Sequence, residues 1–248
     1  MNADPVDQAR RLARDRFPDA LSVILAGSTA AGRATAGSDL DIAVLIGDGG
    51  ETGRETIRFE GRVVELFFHT RAGLAELFAA DVATRRAVMQ SMYATGLVLV
   101  DTDGEAGRAR ALAEADLHQG PPTLDQQTVE TKRYGLTDAL DDLADADDRM
   151  ERLAVGGYVL TAAADLLCDH HHAWIGGGKW MPRRLLEADA RRGADLLEGH
   201  LSLCASGDPS LMTRAASEVL DLVGGPVREG YRRTWRGVVE SAAALTGR

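Results

Sequence analysis

Hydrophobic positions in the first half of the chain fall into two patterns: short runs of branched residues, and longer runs in which apolar residues recur every three or four positions. The short runs, which predict buried strands, lie at 21–26, 41–46, 62–69 and 97–100. The longer runs, which predict helices, lie at 5–17, 71–93 and 105–117. Residues 56–60 alternate polar and apolar side chains before Gly61, which predicts an antiparallel partner for the strand at 62–69.

The second half of the chain carries only the helical pattern. The Gln-Gly-Pro-Pro segment at 119–122 is the strongest break in the sequence, because glycine and proline interrupt regular structure. Beyond it, helices are predicted at 124–146, 149–171, 182–203, 210–223 and 227–245. We therefore predict an α+β protein with two domains, a small mixed β-sheet domain at 1–119 and an all-α helical bundle at 123–248.

Composition and charge narrow the class of function. The chain has 248 residues, 45% of them hydrophobic, and lacks both the long apolar run of a membrane span and the apolar centre of a signal peptide. We therefore expect a soluble, cytoplasmic protein. A net charge of −10 disfavours a nucleic-acid partner, which requires a basic surface, and suits a cationic small molecule. Cys168 and Cys204 lack a CxxC spacing and are expected to be reduced thiols.

The candidate chemistry lies between the first two predicted strands. Gly27-Ser28 ends the first strand, and Asp39-Leu40-Asp41 opens the second. Because side chains alternate along a strand, Asp39 and Asp41 point the same way, and their like charges favour a cation between them. Magnesium is the natural ion, since it takes carboxylate oxygens and shares its shell with phosphates. Glycine and the Ser28 hydroxyl suit close approach of a phosphate.

This pattern of a strand, Gly-Ser, ten intervening residues and Asp-apolar-Asp-apolar resembles the nucleotidyltransferase superfamily of DNA polymerase β. The resemblance covers about residues 20–101. It implies a small mixed-sheet catalytic domain and a third carboxylate on a neighbouring strand, for which Glu65 within 62–68 is the candidate. In the aminoglycoside adenylyltransferase branch, such a glutamate accepts the proton of the attacking hydroxyl.

The resemblance also implies a reaction. We expect a nucleotidyltransferase that moves a nucleoside monophosphate to a hydroxyl of a small molecule such as an aminoglycoside-like antibiotic and releases pyrophosphate. The expected donor is ATP, which gives AMP, with another nucleoside triphosphate as the alternative. Asp39 and Asp41 then hold Mg²⁺, Gly27 and Ser28 bind the outer phosphates, and Glu65 either completes the metal shell or acts as the base. Two alternatives stay open, an enzyme that modifies a protein or tRNA and an antitoxin-like binding module.

Two basic segments of the second half are candidates for phosphate binding. Lys132 or Arg133, near the start of the first bundle helix, could bind a γ-phosphate, although a solvated helix face explains them equally well. Lys179 lies in the glycine-rich segment 174–180 between two tryptophans, where it could close over a phosphate or belong to an ordinary loop.

Three other polar clusters have simpler interpretations. His170–His172 reads as a helix-end cluster, because adjacent helical side chains diverge too far to share a metal. Asp101 and Asp103 follow the last predicted strand and are interpreted as turn formers. The acidic run at 138–148 is either a solvated helix face or a surface for a polyamine-like acceptor.

Overall fold

The computed structural model describes residues 4–35 and 37–234. The chain divides into two compact units, residues 1–122 and 123–248. The helices and strands of the first unit are, in order, α1 (Pro5–Arg16), β1 (Ser22–Ala26), α2 (Gly27–Ala30), β2 (Leu40–Leu45), β3 (Gly53–Phe59), β4 (Arg62–His69), α3 (Arg71–Ala83), α4 (Val88–Thr95), β5 (Leu97–Asp101) and α5 (Glu105–Gln119).

The five strands form one mixed sheet in the order β3-β4-β2-β1-β5. Strands β2 and β4 run parallel, whereas β1 pairs antiparallel with both β2 and β5, and β3 pairs antiparallel with β4. The predicted hairpin of 56–60 with 62–69 is therefore confirmed, and β3 begins three residues earlier, at Gly53. Strand β2 lies at the centre of the sheet, so both of its edges are paired.

Each face of this sheet packs against helices. On one face, α1 contributes Ala9, Leu12 and Ala13 to a core cluster with the apolar residues Val23, Leu25, Leu40, Ile42, Val44, Val64 and Leu66. On the other face, Ala43 and Leu45 of β2 pack in a second cluster with residues of α3, α4 and α5. Since Asp41 lies two residues before Ala43, its side chain is on the face that α3, α4 and α5 cover.

The second unit is helical in its described part. Its elements are α6 (Gln126–Asp145), α7 (Arg149–His170), a 3₁₀ turn (Gly178–Trp180), α8 (Met181–Ala188), α9 (Ala190–Ser206) and α10 (Ser210–Leu222). Aspartates at 125, 148 and 189 cap α6, α7 and α9 by accepting backbone amides of the first turn. The helices enclose a single leucine- and alanine-rich core cluster, in which Leu136, Leu143 and Leu167 are fully buried. The α+β class is confirmed.

Three predicted helices differ from the structure. The run at 71–93 is two helices, because Arg85 and Ala87 adopt left-handed backbone conformations with φ of 60° and 50°. The run at 182–203 is also two, since Asp189 leaves the helical conformation and caps α9. The helix predicted at 227–245 is wrong for residues 227–234, which are not helical, and its remainder lies outside the described residues.

Two further expectations concern the chain as a whole. Within residues 4–35 and 37–234, none of the helices is both long enough and apolar enough to cross a bilayer. Cys168 is buried and Cys204 is exposed, and no disulfide joins them.

Candidate functional site

Strand pairing brings three acidic residues together at the start of β2. Asp41 lies opposite Ala26 of β1 on one side and opposite Glu65 of β4 on the other. Asp39, one residue before the strand, points to the same face as Asp41. One carboxylate oxygen from each of Asp39, Asp41 and Glu65 lies within 4.8 Å of the other two, and all three residues are partly exposed. The structure therefore assembles the three carboxylates that the sequence singled out.

This donor set fits a hard divalent cation. Carboxylate oxygens are the preferred protein ligands of Mg²⁺ and Mn²⁺, and partial exposure leaves room for water or phosphate oxygens to complete the coordination shell. Three negative charges at this separation repel one another, so binding a cation relieves the repulsion. In the part of the chain that the structure describes, no second group of histidine, cysteine or acidic residues comes as close together.

Gly27 gives the site its second component, a backbone segment that lies directly against Asp41. Its φ of +68° is in the left-handed region. A Cβ atom at this position would come within 1.9 Å of Asp41 Oδ2, so a side chain here displaces the carboxylate. The next residue, Ser28, is half-buried in the short helix α2. Position 27 therefore requires glycine both for its backbone conformation and for the space that Asp41 occupies.

Arg54 of β3 is a member of the site that sequence analysis missed. Its Nη2 donates to Glu65 Oε2 at 2.7 Å, and its guanidinium carbon lies 4.9 Å from the centre of the Phe67 ring. Arg54 faces Phe67 across the β3–β4 pair, so its side chain reaches diagonally to Glu65. A charged residue just before the predicted strand at 56–60 was the available sequence signal. Only the strand register shows which carboxylate it contacts.

Arg62 holds the backbone that precedes Asp39. Its Nη1 donates to the carbonyl oxygen of Ser38 at 2.7 Å, and its Nε donates to Gln8 Oε1 of α1 at 3.1 Å. These bonds connect the backbone just before β2 to Arg62, the first residue of β4. No local sequence signal indicates this contact, because it joins residues that are 24 positions apart in sequence.

A buried histidine ends the strand that carries Glu65. His69 has no exposed surface, and its Nε2 lies 2.6 Å from the Tyr93 hydroxyl. Burial lowers the pKa of His69 from 6.5 to about 4 and raises the pKa of Tyr93 above its usual value. His69 is therefore neutral near pH 7 and contributes a polar contact to the core rather than a charge.

The three basic residues of the second unit that are candidates for phosphate binding lie in different environments. Lys132 Nζ lies 2.5 Å from Asp169 Oδ2 of α7 in a partly buried ion pair. Arg133 donates to the carbonyl oxygens of Gly224 and Gly225. Lys179 is exposed in the 3₁₀ turn. Their binding to a nucleotide stays a prediction.

The remaining polar clusters behave as the sequence indicates. His170 is the last residue of α7, and His171 Nε2 lies 3.4 Å from Asp189 Oδ2. Asp101 Oδ1 accepts the amide of Ala106 at 2.9 Å, while Asp103 has a left-handed φ of 53° in the turn before α5. The histidines thus end a helix, and the second Asp-x-Asp pair forms a turn. In the acidic run, Asp148 caps α7 and a partner further along the chain, Arg228, pairs with Asp141.

Comparison with known proteins bears on the first unit. Residues 6–83 match a family model described as the nucleotidyltransferase domain. A search of curated protein sequences gave no match. The chain is similar to a nucleotidyltransferase-like protein from Exiguobacterium sibiricum 255-15, with 11% identity, a TM-score of 0.46, and coverage of 88% of this chain and 74% of that one.

A second solved structure is described as a toxin-antitoxin with AMP-PNP. It shares 19% identity over 54% of this chain and 96% of that chain, with a TM-score of 0.27. Because both TM-scores are below 0.5, neither similarity bears on what this chain binds.

Proposed function

We propose that the chain, whose residues 6–83 match the nucleotidyltransferase domain, is an enzyme of the DNA polymerase β superfamily that transfers AMP from ATP to a hydroxyl group of a small molecule. The observation that carries the proposal is the convergence of Asp39, Asp41 and Glu65 beside the Gly27 backbone. An aminoglycoside-like antibiotic is the proposed class of acceptor, since a chain with a net charge of −10 suits a polycation.

Each residue of the site has a proposed role. Asp39 and Asp41 hold the metal, and Glu65 completes its shell or accepts the proton of the attacking hydroxyl. Gly27 and Ser28 bind the outer phosphates, because the glycine backbone approaches closely and the Ser28 hydroxyl donates to an anionic oxygen. When bound, Mg²⁺ supplies charge neutralisation along the triphosphate and polarises the α-phosphorus.

The reaction is an in-line displacement. The acceptor oxygen forms a bond to the α-phosphorus while the bond to the bridging oxygen of the β-phosphate breaks. The hydroxyl proton passes to Glu65 or to solvent, and pyrophosphate leaves with the electron pair of the broken bond. The three carboxylates keep the reacting groups aligned throughout, since their strands fix their positions.

We assign acceptor recognition to the helical second unit. Its acidic run at 138–148 offers carboxylates to a cationic acceptor, and Lys132 or Lys179 offers a charge to the triphosphate. For Lys132 this role requires the amine to exchange Asp169 for a phosphate oxygen.

A pyrophosphate assay tests the proposal. The purified protein is incubated with each of the four nucleoside triphosphates, MgCl₂ and a panel of aminoglycosides and lincosamides. We expect pyrophosphate release that needs ATP, an acceptor and the metal, and that disappears in Asp39→Asn. Labelling of a co-purified protein or tRNA, without release on any small molecule, contradicts the proposed acceptor. Absence of any metal-dependent nucleotide binding contradicts the enzyme itself.

A further inference from the structure

Arg54 places a positive charge against the acidic site. Its Nη2 lies 2.7 Å from Glu65 Oε2, and Glu65 is one of the three carboxylates that converge within 4.8 Å. The Arg54 side chain is 59% exposed, while that of Glu65 is 25% exposed. A surface ion pair of this kind adds little to folding stability. We therefore consider a role for Arg54 in ligand binding.

The position of the guanidinium is defined by the sheet. Arg54 lies opposite Phe67 in the β3–β4 pair, and its guanidinium carbon is 4.9 Å from the Phe67 ring centre. The aromatic face and the Glu65 carboxylate together hold the charge at the rim of the site. Arg54 is thus placed to act on whatever the carboxylates bind, through its charge.

A fixed positive charge acts in opposite directions on the two species that could enter the site. It repels a bare divalent cation and competes with it for Glu65. It attracts a metal–nucleoside triphosphate complex, whose net charge is negative. We propose that Arg54 is a specificity-determining residue that favours the metal–nucleotide complex over the bare metal ion. This inference rests on the proposed function and names the form in which the substrate enters.

Calorimetry with Mn²⁺ alone and with Mn²⁺ plus α,β-methylene-ATP measures the two affinities separately. In Arg54→Gln we expect Mn²⁺ alone to bind about threefold to fivefold more tightly and the metal–nucleotide complex to bind more weakly by a similar factor. Both shifts should shrink as salt is raised, because the charge is exposed. Loss of packing or of folding weakens both affinities and does not give shifts of opposite sign.

Two variants serve as controls. Arg54→Lys keeps the positive charge through which Arg54 is proposed to act, and it should keep both affinities within about twofold of the unchanged protein. Arg58 lies four residues along on the same face of β3 and donates to the Gly61 carbonyl at 2.9 Å instead of to a site carboxylate. In Arg58→Gln we expect a smaller change in both affinities than in Arg54→Gln, since the Arg58 guanidinium donates to the Gly61 carbonyl and the Arg54 guanidinium donates to Glu65.

The outcomes separate this inference from the proposed function. If Asp39→Asn abolishes Mn²⁺ binding but Arg54→Gln moves both affinities in one direction or neither, the role of Arg54 is wrong and the metal site stands. If Asp39→Asn leaves Mn²⁺ binding unchanged, the metal site is wrong and the inference falls with it. An equal effect of Arg58→Gln also contradicts the inference, because the effect then belongs to net charge alone.

Discussion

The first unit contains two Asp-x-Asp sequences at strand ends, and they are used differently. Asp39 and Asp41 open the central strand β2, where the neighbouring strands supply Glu65 and the Gly27 backbone. Asp101 and Asp103 close the edge strand β5, where one caps the first turn of α5 and the other forms the turn itself. The same spacing of carboxylates therefore builds a cluster of three acidic side chains only where adjacent strands converge on it.

Substitution of one aspartate from each pair gives the largest contrast. In Asp41→Asn we expect turnover to fall by at least about a thousandfold, because the variant loses a charged metal ligand. Asp101→Asn should leave turnover unchanged, since asparagine still accepts the Ala106 amide. Pyrophosphate release by the two variants, with thermal melting as a check of folding, measures the contrast. Equal losses in both variants contradict the assignment of the site to β2.

Two glycines with left-handed backbone conformation, Gly27 and Gly32, provide a test of whether the position of the Asp41 carboxylate matters for turnover. In Gly27→Ala we expect turnover to fall by about a hundredfold, because the new Cβ meets Asp41 Oδ2. Gly32 has a φ of +66°, and among the described residues, its two chain neighbours aside, no heavy atom lies within 4 Å of its Cβ position. In Gly32→Ala we therefore expect the free energy of unfolding to fall by about 1 kcal/mol, because of backbone strain alone, and turnover to be unchanged. Similar turnover in both variants shows that Asp41 tolerates the intrusion.

The buried His69 at the end of a third strand, β4, makes stability depend on pH in acid. His69 has its pKa lowered by burial to about 4, so the unfolded chain binds a proton at higher pH than the folded chain does. Stability from neutral His69 is fully present above about pH 6.5 and is lost as the pH falls, by about 1 kcal/mol near pH 5.5.

Denaturant unfolding of the unchanged protein and of His69→Asn between pH 7.5 and 5 measures this slope. The variant is expected to lose the part of the pH dependence that His69 contributes, whatever its absolute stability. Identical slopes in the two proteins contradict the assignment to His69.

Much of the fold could be predicted because its signals are local. Strand and helix periods placed most elements correctly, since one face of each element is buried against the core. The break between α3 and α4 could not be predicted, because residues 84–87 contain neither glycine nor proline. The left-handed Ala87 is supported by a tertiary arrangement in which Asp81 Oδ2 accepts the amide of Met89 at 2.6 Å. The break before α9 had a local signal, because Asp189 is a good helix cap. The continuous helical spacing of apolar residues across 182–203 nevertheless favoured a single helix.

The candidate site divides in the same way. The parallel orientation of Asp39 and Asp41 follows from the period of a strand and could be predicted. The approach of Glu65 came from resemblance to a family, because nothing local shows that β2 and β4 are neighbours. Arg54 could not be predicted at all, since its contact needs both the strand order and the register of the β3–β4 pair.

Strand order also gives the site an uneven resistance to local unfolding. The aspartates belong to a strand held on both sides, so amide hydrogens around Ile42 should exchange only through large openings of the sheet. Arg54 belongs to an outer strand that can fray on its own. Mild heating should therefore detach the guanidinium first and leave, for a time, a set of carboxylates with no preference for the nucleotide-bound ion.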